Sequence, residues 1–117
     1  MLPPIVSIST LPPTLPNSTE PELFEMIAKG NDVLIERIVS NGHTTPDGFW
    51  YEQETDEWVM LLQGTATLLF DHNEGETLAL MAGQAMLIPA RRRHRVVFTS
   101  SAPPCIWLAV HGKLSEG

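Results

Sequence analysis

Apolar residues in this chain fall in short runs broken by glycine, proline and asparagine, and the runs have the length and period of β-strands. Residues 33–40 are β-branched and aliphatic, interrupted by Glu36 and Arg37, and predict a strand. Asn41-Gly42 and Thr45-Pro46-Asp47-Gly48 are turn signals, and 49–53 reads as extended. Residues 57–63 form a strand that Gly64 turns. The next strand, 65–70, closes through 71–75 onto 77–81. Ala82-Gly83 turns again into 85–88, which Pro89 ends. Strands 95–99 and 106–110 follow, with loop 100–104 between them. About eight short strands with short links predict an all-β fold, an antiparallel jelly-roll barrel.

The first residues break this pattern. Pro3, Pro4, Pro12, Pro13 and Pro16 punctuate 1–17, and proline fixes φ and removes backbone donors. This stretch predicts a strap, with Ile5, Val6 and Ile8 free to lie on another surface. Ser18 or Thr19 then reads as the cap of one short N-terminal helix. Pro21 stands in its first turn, Glu20 and Glu22 lie near the positive end of its dipole, and Lys29-Gly30 closes it. Leu23, Phe24, Met26 and Ile27 would form its apolar face. The expected organisation is one domain: a strap and helix over 1–32, and a barrel over 33–117.

Strand alternation assigns faces. With Glu57 inside, Val59 and Leu61 are inside too. Trp58, Met60 and Leu62 then face outward, yet they are also apolar, so both faces of this strand need cover. A homodimer with Trp58 near the interface is the expected cover, and the chain's own N-terminal strap is the alternative. The same alternation puts His94, Val96 and Phe98 inside, and Arg95 and Val97 outside.

Composition narrows the classes. A chain of 117 residues with 43% hydrophobic and 18% charged residues can bury a core of its own. The net charge of −7 argues against a nucleic-acid partner, which needs a basic surface. No apolar run reaches membrane-spanning length, and no basic start followed by an apolar core marks a signal peptide. Cys105 is the single cysteine, which excludes an internal disulfide and fits a cytoplasmic protein. Neither a G-x-S-x-G elbow nor a phosphate-cradling glycine loop is present.

The candidate chemistry lies on two strands. Glu57 opens E-W-V-M-L-L-Q-G, which ends on Gly64. Gly83 opens G-Q-A-M-L-I-P-A-R-R-R-H, which passes Pro89 and ends on His94. The spacings Glu57-x6-Gly64 and Gly83-x5-Pro89 followed by His94 resemble the two motifs of the cupin superfamily, G-x5-H-x-H-x3–4-E-x6-G and G-x5-P-x-G-x2-H-x3-N. The likeness spans roughly 33–111, and the stretches W-Y-E-Q-E-T-D-E-W-V-M-L-L-Q-G and I-P-A-R-R-R-H-R-V look like those of a group of small single-domain bacterial cupins, mostly of unassigned function. It implies a barrel of the cupin type. Arg91 stands where the motif has glycine, and Phe98 where it has asparagine. The motif's two histidines fall on Tyr51 and Gln53, or on Trp50 and Glu52.

In cupins the histidines and the glutamate hold a divalent metal, and such shells suit Zn, Fe, Mn or Ni. Glu57 and His94 remain from that set. Gln53, and also Tyr51 or His43, are the further candidate ligands. The alternative is a metal-free pocket in which Glu57 and His94 bond to each other and act as acid and base, or only as structure. Tyr51, Phe49 and Phe98 are candidate pocket lining. Arg91, Arg92, Arg93 and Arg95 would either capture an anion or pair with Glu52, Glu54 and Asp56. Pairing is expected for most, with Arg92 kept as a candidate ligand contact. His72 is expected to be solvated in a turn. His111 ends the last strand and would reach the pocket if Ala109 faces inward, but fraying at the chain end is the expected fate. Three functions are consistent with these features. The first is binding of a small organic molecule, acidic or sugar-like, in the barrel. The second is a metal-dependent isomerase, dioxygenase or decarboxylase, and the third a dimeric regulatory or scaffolding protein.

Overall fold

The β-branched and aliphatic runs do form strands. The computed structural model describes residues 1–71 and 75–115. Among them lie β1 (Leu23–Lys29), β2 (Leu34–Ser40), β3 (Asp56–Gln63), β4 (Thr65–Phe70), β5 (Glu76–Met81), β6 (Ala85–Ile88), β7 (His94–Thr99) and β8 (Cys105–Gly112). They make a five-stranded sheet in the order β1-β2-β8-β3-β6 and a three-stranded sheet in the order β5-β4-β7, all antiparallel. Two facing sheets of this order make the jelly roll. Between them lies a core of Val59, Leu61, Ala66, Leu68, Phe70, Leu80, Ile88, Cys105, Trp107 and Ala109. No helix among the described residues is long and apolar enough to cross a membrane.

The expected N-terminal helix is absent: residues 23–29 form strand β1 instead, paired with β2. The capping signal is real but serves a turn. The Asn17 side-chain carbonyl accepts from the Thr19 and Glu20 amides, at 3.0 and 3.2 Å, while Glu20 accepts from the Asn17 amide at 2.9 Å. These bonds satisfy the local donors without a helix behind them. The apolar residues that follow suit a strand equally well, and the open edge of β2 supplies their hydrogen-bond partners. Tertiary pairing overrides a weak helical preference. The extended segment 49–53 contributes one bridge, Tyr51 to His94, rather than a strand. His72 lies outside the described residues.

Strand faces follow the expected alternation in β3, where Glu57, Val59 and Leu61 are buried and Trp58, Met60 and Leu62 half-buried. In β7 they do not. Leu68 pairs with Val96 but Thr67 pairs with Phe98, so Val97 is an extra residue. This bulge reverses the alternation. Val96 faces inward as expected, but Phe98 turns out to solvent and is 49% exposed, while Thr99 is buried in its place. Phe98 is therefore not pocket lining.

The N-terminal strap is fastened by one side chain. Arg37, on the outer face of β2, pairs with Glu25 of β1 at 2.6 Å and donates to the carbonyls of Ile8 and Thr10 at 2.9 and 2.5 Å. Its guanidinium is buried and its charge is paired, which is the condition for tolerating a charge there.

Gly64, between β3 and β4, has φ +91°. A Cβ there would lie 2.7 Å from Ser100 Oγ, 2.9 Å from Cys105 Sγ and 3.1 Å from the Cys105 Cα. Both the left-handed backbone and the close approach require glycine. Gly64→Ala is expected to lower stability by about 2 kcal/mol or more, the left-handed cost plus displaced neighbours, read as a fall in the urea midpoint.

Candidate functional site

The inner faces of β2, β3 and β8 converge on a cavity at one end of the barrel. Register does the positioning. Glu57 of β3 pairs directly across from His111 of β8, and Ala109 of β8 pairs with both Val59 and Glu36. Opposite residues share a face, so Glu36, Glu57 and His111 all point inward with Ala109, which is fully buried. The bridge from Tyr51 to His94 brings in the other two groups: the Tyr51 amide donates to the His94 carbonyl at 2.8 Å, and the His94 amide to the Tyr51 carbonyl at 3.1 Å. The Tyr51 ring stacks on the His94 ring at 5.7 Å. Gln53 completes the polar rim. Val59, Leu68, Ile88, Val96 and Trp107 form the apolar wall.

The cavity volume is about 80 Å³. That is room for roughly six waters, or for a small molecule with its other end in the open mouth.

His94 Nδ1 lies 2.8 Å from the Arg92 carbonyl oxygen. A carbonyl only accepts, so Nδ1 carries a proton, and Nε2 faces Glu57 Oε1 at 3.8 Å. Burial pushes the Glu57 carboxyl above its ordinary range, with His111 and His94 pulling it back and Glu36 adding to the rise. His111 Nε2 lies 2.9 Å from Glu36 Oε1, and this bond holds the imidazole above its ordinary pKa against the opposing effect of burial. Burial, then Glu22 and Glu57, push the Tyr51 phenol up, so it stays a hydroxyl at neutral pH. On the floor, Trp107 Nε1 donates to Ser40 Oγ at 3.0 Å, and Ser40 in turn donates to Glu22.

The structure thus brings together Tyr51, Gln53, Glu57 and His94 and sends the other candidates elsewhere. His43 is buried, but its Nδ1 accepts from the Asn41 amide at 2.8 Å and its Nε2 lies 2.7 Å from the Glu20 carbonyl. Both nitrogens serve the backbone and neither reaches the cavity. Phe49 meets Tyr51 edge-on at 5.2 Å and is half-exposed, outside the cavity wall. Arg92 lies over the Phe70 ring at 5.1 Å. Its neighbours form ion pairs: Arg91 with Glu54 at 3.0 Å, Arg93 with Asp71 at 2.7 Å and Glu52 at 3.8 Å, and Arg95 with Asp47 at 3.6 Å. Asp56 instead caps the amides of Ala90 and Leu114.

Glu36 is not among the expected site residues, and His111 is expected there only on the condition that Ala109 faces inward. The signal was available in the alternation of β8: if Ala109 faces inward, so does His111. What hid it was the expectation of a frayed end, and β8 in fact continues to Gly112.

The fit to a metal is poor. Of the donors the barrel's motifs would supply, Glu57 and His94 remain, joined by a neutral amide and a phenol that burial keeps protonated. No three His, Cys, Asp or Glu side chains among the described residues converge in a way that would hold an ion. His111, the other imidazole in the cavity, is already committed to Glu36.

Residues 37–111 match the family model described as the cupin domain. No curated protein matches the chain. Among solved structures, a Ralstonia eutropha JMP134 protein described as a "putative mannose-6-phosphate isomerase" is 33% identical, with a TM-score of 0.83 over 96% of this chain and 100% of its own. A cupin superfamily protein from Desulfitobacterium hafniense DCB-2 is 18% identical, with a TM-score of 0.66 over 93% of this chain and 100% of its own. A cupin-2 domain protein from Shewanella frigidimarina NCIMB 400 is 22% identical, with a TM-score of 0.59 over 78% of this chain and 80% of its own. These last two speak for the fold alone. With the family model matched over residues 37–111, this chain belongs to the cupin family.

Proposed function

We propose that this cupin binds a small organic molecule, acidic or sugar-like, in the cavity at the mouth of its barrel. The observation that carries this is the convergence of Tyr51, Gln53, Glu57 and His94 over a wall of Val59, Leu68, Ile88 and Trp107. A largely apolar pocket with a few converging polar groups is the usual form of a small-molecule site. No step in this reading uses a metal, because the donors do not make a shell.

A second reading, an isomerase acting on a sugar, rests on the Glu57–His94 pair. His94 Nε2 and the Glu57 carboxyl, which burial raises above its ordinary range, face each other at 3.8 Å, the arrangement an acid–base pair needs. The likeness to a protein described as a "putative mannose-6-phosphate isomerase" favours a sugar as the substrate. A buried, free Cys105 is in keeping with a reducing compartment such as the cytoplasm.

We also propose that a second copy covers the outer face of β3, giving a homodimer. Trp58, Ala85, Leu87, Val110 and Leu114 line an apolar groove there, and no residue of the strap contributes to it. The strap instead lies over β2, where Arg37 holds it. A regulatory or scaffolding role would use this face.

A screen of small sugars, polyols and carboxylic acids should raise the melting temperature by several degrees for at least one compound at about ten times its Kd. His94→Ala and Glu57→Gln should remove that rise while leaving a folded protein. A rise that survives both changes would move the site elsewhere.

Sedimentation should give a dimer, and Trp58→Asp a monomer with the same circular dichroism. A wild-type monomer at tens of micromolar would sink the dimer.

His111 and Glu57 both have raised values in the folded state. Their stabilisation is therefore present in acid and is lost as pH rises through those values, above about pH 6.5 for His111. The melting temperature should fall across that range, and Glu36→Gln should flatten the decline. An unchanged slope in that variant would mean that the Glu36 bond does not control His111.

A further inference from the structure

The cavity wall holds more titratable groups than the motif residues account for. Glu22, Glu36 and Glu57 line it together with the two imidazoles, His94 and His111. None of the chain's seven lysines and arginines does. Arg37 is buried on the opposite face of β2 with Glu25 and the strap carbonyls. Arg91, Arg93 and Arg95 are paired with Glu54, Asp71 and Asp47, and Arg92 is stacked on Phe70. Lys29 and Lys113 are exposed.

We infer that His111 and Glu36 form the second half of the binding site, and that the two imidazole–carboxylate pairs together select an uncharged polyhydroxylated ligand, a small sugar or polyol without phosphate or carboxylate. The inference rests on the reading of the cavity as a ligand site and deepens it.

A phosphate or carboxylate placed in the cavity would lose its hydration and face Glu22, Glu36 and Glu57 with no guanidinium or ammonium to meet it, while the His111 imidazole is already bonded to Glu36. A hydroxyl has no such cost. It donates to a carboxylate oxygen and accepts from an imidazole N–H or from the Tyr51 hydroxyl, which burial keeps protonated. Glu57 and His111 stand opposite each other in the β3–β8 register, so the Glu36–His111 pair lies beside Glu57 on one sheet face, and His94 meets Glu57 from the facing sheet. Neighbouring hydroxyls on one carbon chain can therefore engage both pairs at once. The Trp107 ring in the wall and the exposed Phe24 at the lip offer apolar surface for the C–H faces of such a molecule.

The test is calorimetric binding to the full chain of neutral C3–C6 sugars and polyols, each beside its phosphorylated or carboxylated counterpart. Wild-type protein should bind a neutral compound and bind its anionic counterpart about tenfold more weakly or worse. His111→Asn and Glu36→Gln should each weaken the neutral compound by about tenfold, the loss of one charged hydrogen bond. His111→Gln, which keeps a donor of similar reach, should recover part of the affinity. Circular dichroism on each variant separates lost binding from lost fold, and the neutral-against-anion comparison on wild type needs no variant at all.

An anion that binds as tightly as its neutral counterpart, through His94, would overturn this inference and leave the site itself standing. Neutral binding that is indifferent to both His111 and Glu36 would do the same. If no compound of either class binds in a way that depends on Glu57 or His94, the site reading fails and this inference with it.

Discussion

The central position of β8 is the constraint from which the rest follows. It pairs along its length with β2 on one side and with β3 on the other, so its alternation sets the inner face of both. Ala109 and Trp107 are buried on that face, which leaves His111 no choice of side. A slip of one residue would exchange every inner and outer side chain of the strand. It would place Ile106, Leu108 and Val110 in the barrel and turn His111 out. The site is thus a product of the same register that packs the core. A carboxylate as deeply buried as Glu57 is tolerated for the same reason, since the imidazoles of His94 and His111 stand near enough to offset part of its desolvation.

The outer face of the same sheet is handled differently along its width. Over β2 and its neighbours the chain covers itself: Arg37 gathers the strap carbonyls, and Val39 and Ile106 are fully buried. Over β3 and β6 the groove beside Trp58 receives no such cover. The two charged groups of β2 show how one strand serves both faces. Arg37 points outward to hold the strap, and Glu36, next in sequence, points inward to hold His111. Alternation gives adjacent residues unrelated tasks.

The family geometry survives where its chemistry has changed. Arg91 stands at a motif glycine and still adopts φ +65°, at a backbone cost of about 1–2 kcal/mol for a residue with a Cβ. Its amide bonds the Gln53 carbonyl at 2.7 Å, which fastens the 49–53 segment to the turn before His94. That contact holds Tyr51 and Gln53 against the cavity. Tyr51 and Gln53, on which one alignment of the motif's histidines falls, both line the cavity.

By itself the sequence determined the strands from Leu34 onward, the face of β3 and the nearness of Glu57 to His94, because period-two alternation and motif spacing are local properties. The pairing of most arginines with acidic neighbours was legible too, from charge and proximity. Tertiary structure decided the rest. Residues 23–29 became a strand because β2 offered an open edge, which no propensity encodes. Phe98 left the interior because a one-residue bulge reversed the alternation of β7. His43 was taken up by the backbone of the strap's turn. His111 and Glu36 joined the site because strands distant in sequence placed them on one face. Each of these depends on which strands lie side by side and in what register, and that is settled only when the chain closes.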